Sequence, residues 1–156
     1  MTVLFAVKVK VQFSTGGLVI IRDRNLVKKI PTLVAFISRK YPDWKHQDIR
    51  INDPLRVPFP IDAGAFFLEN VMTYVPPSKR DGETTLRDYP GAAGKSLVEL
   101  KTIESLAEWL QCYDFRDCIQ FVRNKRHDQA AVMSIEEYMA ARIAEFRSTT
   151  SSALQP

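Results

Sequence analysis

The sequence predicts an α+β fold, with an N-terminal β-hairpin in a mixed or antiparallel sheet and helices packed mainly on one face. Three observations predict it. Residues 3–13 place Val3, Phe5, Val7, Val9, Val11 and Phe13 at every odd position and Ala6, Lys8, Lys10 and Gln12 among the even ones, a period-two pattern of a half-buried strand. Ser14, Thr15, Gly16 and Gly17 then supply hairpin turn chemistry before a second apolar run at residues 18–21. Further on, apolar residues recur at helical spacing in several separate stretches, so strands and helices fall in blocks rather than in strict alternation.

Taken in order, Leu18, Val19, Ile20 and Ile21 are apolar in succession, which predicts a strand covered on both faces inside the sheet. Asp23 or Asn25 starts the next element. Leu26, Ile30, Leu33, Val34, Ile37 and Tyr41 keep helical spacing, but Pro31 is welcome only in a first turn. A short turn before Pro31 and a helix from there to about Lys40, closed by Pro42, follow. A hairpin followed by a helix is common to many folds, ubiquitin-like β-grasp domains among them, and identifies none of them.

Pro54, Pro58 and Pro60 predict an extended segment over residues 43–60, with a short strand at 49–51. Residues 62–75 suit a helix capped by Asp62 in their first half, while residues 71–75 equally suit a strand. Residues 76–96 carry Pro, Gly and charges of both signs without apolar periodicity, which predicts a long loop. Val98 and Leu100 alternate with Glu99 and Lys101 as a strand would, and Thr102 is placed to cap a helix through Ile103, Leu106, Ala107, Leu110 and Tyr113. Residues 119–122 read as a further short strand. Ser134 and Glu137 have capping-box spacing ahead of Ile135, Met139, Ile143 and Phe146, which predicts a final helix. The expected organisation is one domain over residues 1–147 with a loop at 76–96, followed by a Ser/Thr-rich disordered tail at 148–156.

Charge divides along the chain. Residues 1–60 hold eleven Lys and Arg against four Asp, and the remainder holds eleven against fourteen acidic residues. A basic first third is an argument about an anionic partner. Lys8 and Lys10 share a strand face, Arg22 and Arg24 close the hairpin, and Lys28 and Lys29 precede the main helix; Arg123, Lys125 and Arg126 form a second group. If the groups converge they make a surface able to neutralise several phosphates. Tyr41, Trp44 and Tyr89 could stack on bases, although no RNA-binding strand motif is present.

The sequence Tyr89-Pro-Gly-Ala-Ala-Gly94-Lys95-Ser96 ends as a phosphate-binding loop does, with Gly94, Lys95 and Ser96 as its contacts. Tyr89 stands where that motif needs its first glycine, and a polar segment precedes it. Cys112, Cys118, His127 and Asp128 are zinc-compatible residue types at spacings wider than a structural zinc site uses, so both cysteines are assigned to the core, and neither a metal nor another cofactor is called for. No catalytic group emerges, and no uncharged apolar run reaches the length that spans a bilayer. Two cysteines and the lack of a signal-peptide pattern point to an intracellular setting, cytoplasmic or nuclear.

Three functional expectations follow. The first is a non-enzymatic binding module whose basic N-terminal surface contacts nucleic acid. The second is a structural or adaptor protein that binds an acidic protein surface or assembles through a sheet edge, homo-oligomers included. The third is a phosphate- or nucleotide-binding protein using residues 89–96.

Overall fold

A computed structural model describes residues 5–153 and has an α+β fold with a four-stranded mixed sheet. Strand β1 (Val7–Phe13) is central. β2 (Leu18–Ile21) pairs with it antiparallel, while β3 (Ile49–Arg50) and β4 (Leu55–Val57) pair with successive parts of its other edge in parallel. β3 and β4 thus act as one strand broken at residues 52–54, where Pro54 removes a ladder donor.

The period-two reading of β1 holds over its length: Val7, Val9, Val11 and Phe13 are buried in the core, and Lys8, Lys10 and Gln12 are not. Residues 3–4 of the predicted strand lie outside the described residues, and residues 5–6 precede β1. β2 differs from expectation. It is an edge strand, and Leu18 and Ile20 are exposed, because four apolar residues in succession do not reveal whether a second layer lies over the sheet.

Helices α1 (Arg24–Lys28) and α2 (Pro31–Lys40) follow the hairpin, with Asp23 capping α1 through the amide of Asn25 and Pro31 in the first turn of α2. α3 (Ile61–Asn70) begins after Pro60, with Asp62 in its first turn rather than at the cap. Its Gly64 sits against Phe13: a Cβ there would stand 2.2 Å from the Phe13 ring, so glycine sets the distance between α3 and β1.

The last third corrects four sequence readings. The stretch 98–101 belongs to α4 (Leu97–Trp109), started by a capping box between Ser96 and Glu99, and Thr102 lies inside that helix. Residues 119–122 belong to α5 (Tyr113–Ala153), whose buried Phe115, Cys118, Ile119 and Val122 are a helical face. α5 also passes without interruption through residues 134–137, where a new helix was expected, and through 148–153, which the sequence reading gave to a tail. Residues 154–156 of that tail lie outside the described residues.

The loop 76–96 has little regular structure beyond two short 3-10 turns, but it is fastened to the core. Tyr89 is completely buried, packs on Tyr74 and Phe121 at ring distances of 5.2 and 5.8 Å, and donates its hydroxyl to the Val75 carbonyl at 2.8 Å. Arg80 and Asp88 pair across the loop at 2.5 Å.

Candidate binding surface

Opposed residues in a sheet share a face, so the register fixes which side chains accompany Lys8 and Lys10. Lys8 stands opposite Arg50 on β3, Lys10 opposite Ile20 on β2, and Gln12 opposite both Leu18 on β2 and Arg56 on β4. Arg22, one residue past the Val9 and Ile21 pair, falls beside Lys8. The result is a face bearing Lys8, Lys10, Arg22, Arg50 and Arg56, bordered along the edge strand by Leu18 and Ile20. None of these seven is buried, while the opposite face of β1 is the core. The four strands contain no Asp or Glu, so nothing on them neutralises the cations.

The proximity of these charges is visible in Lys8, whose ammonium is held below the usual lysine range. Arg50 is the largest cause, followed by partial desolvation, Arg22 and Lys10. Like charges gathered on a strand face are destabilising when opposed directly. Neutralising them would relieve that cost.

The other sequence-derived cations are placed differently. Arg24 is consumed inside the fold: its guanidinium donates to the carbonyls of Phe5 and Trp44 at 2.6 Å each and of Gln47 at 2.5 Å, and lies over the rings of Phe5 and Trp44. Lys28 is exposed at the end of α1, and Lys29 lines a cleft on the helical side with Met72, Val75 and Gln111. Arg123 makes a two-pronged pair with the buried carboxylate of Glu104, at 2.6 and 3.3 Å. Lys125 lies over Phe121, and Arg126 donates to the carbonyls of Ala93 and Lys95. Arg123 and Arg126 therefore fasten α5 to its neighbours, Lys125 packs on its own helix, and the second basic group does not extend the sheet face.

At the loop, a helix does follow Ser96, but its N-terminus is already served. Ser96 accepts from the Glu99 amide, and the Glu99 carboxylate accepts from the Ser96 amide, each at 3.1 Å. Glu99 is held below the ordinary carboxylate range, first by that backbone bond, then by the Ser96 hydroxyl and by Lys95. Lys95 is 3.9 Å from Glu99 and lies over Phe66, while Gly94 has open space around it. A carboxylate thus occupies the position where a phosphate would meet the helix dipole.

Both cysteines are buried, and burial pushes each thiol up to about 12. Such thiols are inert rather than nucleophilic at neutral pH. Among the described residues no group of three or more His, Cys, Asp or Glu is placed to hold a metal ion, and no helix is long and apolar enough to cross a membrane.

Arg50, Arg56, Leu18 and Ile20 were not legible as site residues from local sequence. β3 and β4 are too short for their alternation to show, and only parallel pairing with β1 brings their arginines to its lysines. Comparison with protein-family models, curated proteins and solved structures finds no match, so the chemistry of this face carries the functional reading.

Proposed function

We propose that this chain is a binding module that uses the open face and free edge of its sheet to hold an acidic protein segment. The observation that carries the reading is the juxtaposition on one uncovered face of Lys8, Lys10, Arg22 and Arg50 with the exposed aliphatic side chains of Leu18 and Ile20. Among the described residues β2 has no strand on its outer side, so an extended segment can add there through main-chain hydrogen bonds. On the side of such a segment that continues the open face, apolar side chains meet Leu18 and Ile20, and acidic ones meet the cations. Charge then supplies orientation and association rate, and the aliphatic contacts supply dry area.

Nucleic acid is the second reading. The cations favour it, and the half-exposed Trp109 borders a depression with Gln12 and Arg56 at one end of the face, where a base could stack. The first reading is preferred because the strand positions of the face hold no aromatic residue and instead hold two aliphatic ones, for which a phosphate backbone has no use.

The test is binding of a fluorescent extended peptide carrying Glu and Leu in turn at every second position, with Thr between them so that both face one side, in parallel with a random single-stranded oligonucleotide, across a salt series. Lys8→Glu combined with Lys10→Glu is expected to weaken peptide binding at low salt by about tenfold or more. The fold should survive, because neither side chain is in the core and the glutamate at position 8 gains Arg50 and Arg22 as neighbours. Tighter binding of the oligonucleotide, falling steeply with salt and lost in the same variant, supports the second reading instead. Unchanged affinity for both ligands in the variant rejects this face.

A further inference from the structure

The second half of α5 leaves the body of the protein. Among its described side chains Val122 is the last buried one, Arg126 makes the last contact with the loop, and over residues 127–144 every described side chain is exposed. A solvated helix of this length gains little from its own hydrogen bonds and is held by burial of an apolar face. That face is present and uncovered: Val132, Ile135, Met139 and Ile143 are 53%, 63%, 54% and 49% exposed. Spacings of three, four and four residues bring Val132 and Ile143 eleven positions apart, a repeat that stays on one side of a nearly straight helix.

We infer that this stripe pairs with the same stripe of a second copy of the chain, antiparallel, about a two-fold axis at Met139. The stripe is self-complementary in that arrangement. Met139 meets its own copy, and Ile135 of each helix meets Ile143 of the other, one from each side of the seam. The charges agree with the direction. Antiparallel packing sets Glu136 level with Arg142 of the second copy, whereas parallel packing in register sets Glu136 beside Glu136 and Arg142 beside Arg142.

The length agrees as well. A two-fold at Met139 lays residues 125–153 of one helix along residues 153–125 of the other, an overlap of roughly 40 Å and about four heptads. The overlap ends just where α5 enters its own domain, so the two bodies sit at opposite ends of the paired helices. Such a dimer carries two copies of the basic sheet face on one rigid rod, although the pairing does not depend on what that face binds.

Sedimentation equilibrium of the full chain tests the pairing, and engineered cysteines test its direction. The wild type is expected to be a dimer, and Met139→Asp should raise the dissociation constant at least about tenfold while leaving the helical signal of the body intact. Under mild oxidation Met139→Cys should cross-link to itself, and Ile135→Cys should cross-link to Ile143→Cys in a mixture. Ile135→Cys alone should not, because antiparallel packing separates its two copies by roughly 12 Å along the axis. The buried native cysteines do not compete. A wild type that is monomeric up to its solubility limit overturns the inference, and so does efficient self-cross-linking of Ile135→Cys.

Discussion

Single residues decide several features of this protein. Gly64 is one, since α3 approaches β1 so closely that the Phe13 ring fills the space of a side chain. Gly64→Ala gains helix propensity but forces the ring or the helix to move, a net loss of about 1–3 kcal/mol by urea unfolding. Arg24 is another. It belonged to the basic group in the sequence, yet its guanidinium gathers carbonyls from residues 5, 44 and 47 and fastens the first strand to the segment before β3. Charge-assisted bonds of this kind contribute about 1.5–3 kcal/mol each when broken, so Arg24→Met should destabilise by several kcal/mol in the same measurement, without any role in partner binding. Sequence reveals that a residue is cationic and does not reveal whether backbone carbonyls will surround it.

Buried acids add a pH dependence at the residue scale. Burial raises Cys112, Cys118 and Tyr74 each to about 12, from 9 for the thiols and 10 for the phenol. These groups keep their protons in the folded chain after the unfolded chain has lost them. Their contribution to stability is therefore complete below about pH 9 and declines as pH rises toward 12. Melting temperature should fall steadily over that interval, and a Cys112→Ala, Cys118→Ala variant should show a shallower decline relative to its own neutral value. A variant with an undiminished slope would place the effect elsewhere.

At the scale of elements, what could be read depended on length and on competing periods. β1 was legible because its alternation runs unbroken, and α2 because Pro31 and Pro42 bracket it. Residues 119–122 read as a strand because Ile, Phe and Val are β-prone, although Phe115, Cys118, Ile119 and Val122 form an i, i+3, i+4, i+7 face that includes them. The capping-box spacing at Ser134 and Glu137 likewise describes a possible helix start, but a helix already running through a segment has no free amides there to cap. In the stretch after residue 96, the Ser96 and Glu99 box was the true start signal and was masked by the resemblance to a phosphate-binding loop. Local signals of equal strength were separated only by the packing of α4 against α5.

For the whole molecule, the sheet divides the chain into a core side and an open side, and the candidate surface arises from that division. Half of it was written in the alternation of β1. The other half needed the parallel pairing of β3 and β4, a long-range event that two- and three-residue strands do not announce. Paired through α5, two such molecules would present two open faces to one partner, and avidity would exceed the affinity of either face provided the partner spans the rod. The most direct measurement on the sheet face is a map of backbone amide shifts as the Glu and Leu peptide is added at low salt. Perturbations centred on residues 8–12, 18–22 and 50, and erased by Lys8→Glu with Lys10→Glu, are predicted. Perturbations centred on residues 94–99 or 123–126, with the sheet unmoved, would contradict the account.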